Sequence, residues 1–335
     1  MRYIRADGYE RILAVTRQLV DPALRAAVAT LSEPTRTICG HHFGWCDPAG
    51  RPGKALRPAM TIACAKAVGA TADAAVPAAT AVELLHNFTL IHDDIIDGDH
   101  TRRNRRTVWS AFGIPAAILA GDALFALAVE VLAAHPRPRT ATALLGRGLV
   151  EVINGQTADL VLEHRDRASL AESMDMAARK TGALLGCACA LGALSGGAGS
   201  DQVTCLRRFG EQLGMAFQLV DDVLGIWGDP ETTGKPARSD VVNRKKSLPV
   251  VAALDSGTAA GAELGALYRL DRPLTSTEVG HAVRLVEQAG GRLWARQRTD
   301  RCLAEALALV RGADIAPAAA GELSALAHLV VQRDH

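Results

Sequence analysis

The chain has 335 residues, 49% apolar and only 4% aromatic, and its 37 Lys+Arg nearly balance 36 Asp+Glu, for a formal net charge of +1. That length suffices for one large core, and the charge balance gives no global sign of a nucleic-acid or acidic partner. Ala and Leu fill the place of β-branched and aromatic runs, so the composition favours helix and excludes a strand-rich fold.

The N-terminal stretch MRYIRADGYERIL lacks an apolar h-region, so no secretory leader is expected there. Seven cysteines, at 39, 46, 64, 187, 189, 205 and 302, form no CxxC pair. Their odd number in a long chain fits reduced, mostly buried thiols in a cytoplasmic protein. Cys39, His41, His42 and Cys46 have no standard zinc spacing. Gly and Pro then punctuate the chain at 46–53, 135–139, 195–200, 228–240 and 270–273, and Thr275 with Glu278 forms a capping box. The intervals are helical in period, with no repeat or composition shift. A single domain over 1–335, built as one large all-α bundle around a cavity, is expected.

Residues 82–103, VELLHNFTLIHDDIIDGDHTRR, read as one helix. Asp93 and Asp97 are four apart and share a face, with Asp94 rotated by about 100°. Three carboxylates so close repel unless a cation joins them, and Mg²⁺ held by a few carboxylates keeps positions for waters and phosphates. Arg102 and Arg103 follow, and guanidinium forks match phosphate oxygens. A carboxylate cluster beside arginines inside apolar flanks points to a diphosphate site.

The stretch 181–200 carries no charged residue and imitates a membrane span. Its small residues and SGGAGS ending favour a buried core helix followed by a loop. The segment 214–249 repeats the carboxylate-then-cation pattern: Asp221 and Asp222 on an apolar helix, then a Gly/Pro-rich loop with Lys235, Asp240, Lys245 and Lys246. The lysines would neutralise a departing diphosphate.

Together these residues resemble the trans-prenyl diphosphate synthase family. Gly53-Lys54 with Arg57-Pro58 is similar to its GKxxRP loop. Asp93 to Asp97 with Arg102-Arg103 resembles its DDxxD motif and trailing arginine pair. Gly155-Gln156 with Asp159-Leu160 resembles its GQxxDL helix, Lys180-Thr181 its KT pair, and Phe217-Gln218 with Asp221-Asp222 its second aspartate motif. The resemblance spans roughly 50 to 250 and implies an isoprenoid-synthase-type bundle joining isopentenyl diphosphate to an allylic diphosphate. It implies that Lys54, Arg57, His86 and Arg103 hold isopentenyl diphosphate. It implies Mg²⁺, three ions with substrate bound, on Asp93, Asp97 and Asp221, supported by Asp94 and Asp222. Arg102, Lys180, Lys235 and Lys245 would hold the allylic diphosphate, and Gln156, Thr181 and Gln218 would line the reacting centre. A homodimer is expected.

Two departures stand out. Gly225 occupies the place of the second motif's last aspartate, and Asn104-Arg105-Arg106 replaces the Gly and Pro that usually follow the arginine pair. Side chains just before Asp93 act as a floor for the growing chain. Large Phe88 beside small Thr89 resembles the pattern of C20 synthases, so geranylgeranyl diphosphate is the expected product. A terpene cyclase on the same fold is the alternative, but it has no need of Lys54, Arg57 and His86 together.

Overall fold

The computed structural model describes residues 6–45, 53, 55–165, 167–229 and 238–331. Lys54, Lys235 and Cys46 lie outside the described residues. Helices dominate, and sheet is confined to a two-stranded ribbon among the described residues. The helices that matter for the site are α1 (Ala6–Ala29), α2 (Thr35–Phe43), α3 (Leu56–Ala67), α4 (Ala72–Ile96), α5 (Val108–Phe112), α6 (Ile114–Ala133), α7 (Pro138–Glu163), α8 (Leu170–Ala177), α9 (Ala183–Ser195) and α10 (Ser200–Trp227). A π-helical turn, Ala178–Gly182, separates α8 from α9.

The chain folds as two compact units. The first comprises 1–149, 187–207 and 310–325. Within it α4 packs chiefly on α6, then on α3 and α1. Fully buried Ala75, Ala78, Ala79 and Ala81 let the neighbouring backbones approach α4, while Val82, Leu84, Leu85 and Ile91 fill the interior. The second unit comprises 150–186, 208–309 and 326–335. Its core joins Ala177, Met215, Ala216, Leu219, Val223, Leu248, Ala295 and Cys302. A further cluster around Val250, Leu264, Val279 and Val286 lies beneath the helix opened by Thr275. That helix carries the capping box expected from the sequence: Thr275 Oγ1 accepts from the Glu278 N–H, and the Thr275 N–H donates to the Glu278 carboxylate.

The uncharged stretch at 181–200 forms α9 and a short turn, with Leu184 to Leu194 almost wholly buried. By length and composition, α4 and α6 are the helices among the described residues that could cross a membrane. The interior of the first unit accounts for α4. On α6, Ile114, Ile118, Leu119 and Val129 remain exposed, Leu119 by 64%.

One sequence expectation requires correction. The helix of the first carboxylate cluster stops at Ile96 rather than running to residue 103. Asp97 closes it, and Gly98 follows at φ +69°. The chain then forms an antiparallel ribbon, β1 (Thr101–Arg102) and β2 (Arg105–Arg106), turned by Arg103 and Asn104 at φ +52° and +62°. Two successive left-handed residues make the turn that matches strand twist, and Asn tolerates that conformation. Apolar periodicity also ends at Ile96, so nothing beyond it has a core face to bury.

Candidate active site

In the first unit, α4 presents its aspartates to two environments. Asp93 is half-buried and Asp97 exposed, one turn apart. Asp94, rotated inward, is 1% exposed, and its Oδ1 accepts from Arg102 Nε at 2.6 Å. Burial is the chief reason its carboxyl is pushed up to about 6, against the pull of Arg102. Arg102 therefore fastens the ribbon to α4.

Arg103, in the turn, lies against Gly53, where a Cβ would sit 2.9 Å from its Nη1. Arg57, in the first turn of α3, donates through Nη1 to His86 Nε2 at 3.0 Å. His86 is thus an acceptor at Nε2. Burial, followed by the charges of Arg57 and Arg103, holds its pKa well below the ordinary value, so the imidazole is neutral. Arg57, His86 and Arg103 are gathered on the α3–α4 side of the unit. Phe88, one turn before His92, packs edgewise on it at 4.7 Å, and its ring lies 5.6 Å from Phe125 of α6. Thr89 turns its hydroxyl back to the His86 carbonyl at 2.8 Å.

The unusual Arg105 also has a place. Its Nη2 donates to the His42 carbonyl at 3.3 Å, near the C-terminal end of α2. Gly44 leaves room for the guanidinium: at φ +75° it has no Cβ, and one placed there would meet Arg105 Nη1 at 2.4 Å. His41 Nε2 donates to the Arg106 carbonyl at 2.8 Å, so the ribbon is pinned to α2 as well as α4. Of the residues with no standard zinc spacing, Cys39, His41 and His42 are described and each has another partner. Cys39 Sγ points to the Ala120 carbonyl, and His42 pairs with Asn87. Burial pushes the Cys39 thiol up to about 12.

In the second unit the pattern of α4 repeats on α10. Asp221 is exposed, while Asp222 is 3% exposed. Asp222 Oδ1 accepts from Gln218 Nε2 at 2.7 Å, and its Oδ2 accepts from the Leu248 N–H at 2.9 Å. Gln218 Oε1 in turn accepts from Thr181 at 2.7 Å. These bonds link the π-helical turn, α10 and the 248–254 helix. Burial pushes Asp222 up to about 6, opposed first by Lys245. Lys180 Nζ meets Asp159 Oδ2 at 2.6 Å. Burial disfavours the Lys245 ammonium, but Asp222, Asp240, Asp159 and Asp221 outweigh it and hold its pKa above the ordinary value. Lys246 serves a different purpose from the one its sequence context suggests. Its Nζ donates to the carbonyls of Leu162, Glu163 and Arg165, closing the end of α7. Both amide atoms of Gln156 are buried with no protein partner.

Sequence reasoning does not single out Asp159, Asn87 or Glu83 as site residues, nor the roles that Asp240 and His42 take in the fold. Asp159 sits inside a recognisable motif, but its pairing with Lys180 is a tertiary contact. Glu83 carries a usable signal, a carboxylate among apolar residues on a helix that buries that face.

Among the described residues no three His, Cys, Asp or Glu side chains already converge as a closed metal cage. Mg²⁺ does not need one, because it keeps waters and phosphate oxygens as ligands. The donors are hard carboxylate oxygens, each cluster presents at least one solvent-facing aspartate, and Asp94 Oδ2 is buried without a protein partner. The residues present fit that ion.

Residues 47–286 match the polyprenyl synthetase family. The chain is 42% identical over 339 residues to a geranylgeranyl diphosphate synthase of Mycobacterium tuberculosis, covering 99% of this chain and 96% of that protein. It is 41% identical over 333 residues to a (2E,6E)-farnesyl diphosphate synthase of the same species, covering 96% and 92%. A polyprenyl synthetase crystal structure from Streptomyces coelicolor A3(2) superposes with a TM-score of 0.91 at 44% identity, covering 96% of this chain and 99% of that one. With a matching sequence profile, near full-length relatives and a shared all-helical fold, the chain belongs to the polyprenyl synthetase family.

Proposed function

We propose that this enzyme condenses isopentenyl diphosphate head-to-tail, in trans, with an allylic diphosphate, and that its product is C20 geranylgeranyl diphosphate. The observation that carries the reading is the repeated aspartate pair. In Asp93-Asp94 and Asp221-Asp222 alike, the first carboxylate is the more exposed, half-buried in Asp93 and exposed in Asp221, and the second is buried and hydrogen-bonded. A helix that pins one carboxylate and presents its neighbour is suited to ligating a hard cation without rearranging.

Asp93, Asp97 and Asp221 would hold Mg²⁺, which supplies charge neutralisation for the departing diphosphate of the allylic substrate. Lys180 and Lys245 add positive charge, with Arg102 and Lys235 assigned to the same diphosphate. Arg57, His86 and Arg103, with Lys54, bind the diphosphate of isopentenyl diphosphate and orient its double bond. Asp94 and Asp222 support the clusters. Thr181, Gln218 and Gln156 line the reacting centre, where the orphaned amide of Gln156 has polar atoms to offer. Catalysis is then positioning plus charge stabilisation. Phe88, backed by Phe125, sets the C20 limit, with small Thr89 leaving room beside it. The exposed apolar residues of α6 support a homodimer formed by a second copy.

The test is product analysis with labelled isopentenyl diphosphate and each allylic starter in the presence of Mg²⁺. A C20 diphosphate formed only with both substrates is expected. A hydrocarbon or alcohol formed from the allylic substrate alone would identify a cyclase instead. For the assembly, size-exclusion chromatography with light scattering should give a dimer, and Leu119→Glu should shift it to monomer.

A further inference from the structure

A chain of buried polar groups lies behind the α3–α4 cations. Glu83, Asn87 and His42 are 8%, 0% and 8% exposed. Asn87 Nδ2 donates to Glu83 Oε1 at 3.2 Å and to the Glu83 carbonyl at 2.8 Å. With its amide nitrogen so used, Asn87 Oδ1 must be an acceptor, and it lies 3.0 Å from His42 Nε2. His42 therefore carries its proton on Nε2 and donates to Asn87. Burial, then the charge of Arg103, pushes its pKa down to about 3, so it is neutral and its donor role is fixed. Its backbone is fixed too, through the bond from Arg105 to its carbonyl.

The chain ends on a carboxylate that lies in the field of two guanidiniums. Glu83 and Arg103 line the same cavity of about 220 Å³, together with Gly53. Burial pushes the Glu83 carboxyl up, and Arg103 and then Arg57 draw it down. Burial correspondingly lowers Arg103, and Glu83 is the first group that restores it. Glu83 also sits one turn before His86, the acceptor for Arg57. Cations that must converge on one diphosphate repel each other, and a buried carboxylate of fixed orientation offsets that repulsion when no substrate is bound.

We infer that Glu83, oriented by the relay His42–Asn87, is a positioning residue that holds Arg103 and Arg57 in the geometry that receives the diphosphate of isopentenyl diphosphate. This role presupposes the reading above, in which those arginines bind that substrate.

Steady-state kinetics with each substrate varied in turn provide the test. Glu83→Gln keeps an acceptor for Asn87 and removes only the charge. Its KM for isopentenyl diphosphate should rise about tenfold, with kcat and the KM for the allylic diphosphate within about twofold. His42→Leu should move the same KM in the same direction, and His42→Gln, which restores an N–H donor, should return it towards the wild-type value. Circular dichroism and thermal melting establish that each variant is folded, and if Glu83→Gln does not fold, the His42 pair decides. The proposal fails if the folded variants leave the isopentenyl diphosphate KM within twofold, lower it, or raise both KM values together. Arg103→Gln separates the two layers. If it leaves that KM unchanged, the substrate assignment itself is wrong. If it raises the KM while Glu83→Gln does not, only the positioning role falls.

Discussion

A Cβ built on Gly225 would lie 2.5 Å from Oδ2 and 2.6 Å from Cγ of Asp240. Asp240 is 8% exposed, so its carboxylate has little open space to move into. The position where the second aspartate motif ends on glycine is thus where another carboxylate already stands. Gly225→Asp, which rebuilds the full motif, should therefore destabilise the enzyme. The overpacking and like-charge contact together should cost roughly 1–3 kcal/mol. A second change, Asp240→Gly, should recover part of that loss. Thermal or urea denaturation of the single and double variants measures both. A neutral or stabilised Gly225→Asp would show that the site can rearrange to admit a third aspartate.

The two members of each aspartate pair should fail differently. Asp93→Asn and Asp221→Asn alter the more exposed member of each pair. They should lower the melting temperature less than changes at the buried members do, and lower kcat/KM by about 100-fold or more, as expected when charge stabilisation is lost. Asp94→Asn and Asp222→Asn alter carboxylates whose partners are named donors: Arg102 for the first, Gln218 and the Leu248 N–H for the second. Those variants should lose roughly 1–3 kcal/mol of stability, because buried donors are left poorly matched. Paired activity and denaturation measurements on all four variants check the division. Equal stability losses across a pair would contradict it.

Much of this architecture is legible in the sequence. Helix and breaker positions, the buried nature of 181–200 and the Thr275 cap follow from local composition and period. The ribbon at 101–106 is hidden because three of its strand residues and one turn residue are arginines, which read as a continuation of a charged helix end. Only Gly98 and Asn104 hint otherwise. The inward turn of Asp94 and Asp222 is not legible either, since adjacent aspartates differ only in which neighbour meets them. His42, Asn87 and Glu83 lie on two helices, and a three-residue hydrogen-bond chain between helices has no sequence spacing.

His42 provides a pH test of its own. It is neutral in the folded protein down to about 3, whereas an unfolded chain protonates it near its ordinary value of 6.5. Between those two values the unfolded state binds one more proton, so this residue lowers stability as the pH falls. His42→Gln removes the titration and retains a donor. The stability of the wild type should therefore fall more steeply than that of the variant on going from pH 6.5 to 4, by about 1.4 kcal/mol per pH unit. Urea denaturation at several pH values checks the difference in slope. Parallel pH profiles would mean that His42 can protonate without unfolding.

Phe88 is not alone: its ring lies 5.6 Å from that of Phe125 on α6 and packs edgewise on His92. Removing Phe88 leaves a second aromatic close by, and removing Phe125 takes away the surface that steadies Phe88. Phe88→Ala should therefore lengthen the product only partly, giving a mixture of C20 and longer diphosphates. Phe88→Ala with Phe125→Ala should shift most of the product beyond C20. Phe125→Ala alone should broaden the distribution less than either. Each lost ring also removes aromatic packing, so a loss of roughly 3–5 kcal/mol per buried ring sets the upper bound on destabilisation, and half-buried Phe88 should fall below it. Chain-length analysis of dephosphorylated products from labelled isopentenyl diphosphate reads the outcome. If Phe88→Ala and the double variant both still stop at C20, the limit is set by other side chains, and the aromatic pair serves only to pack α4 against α6.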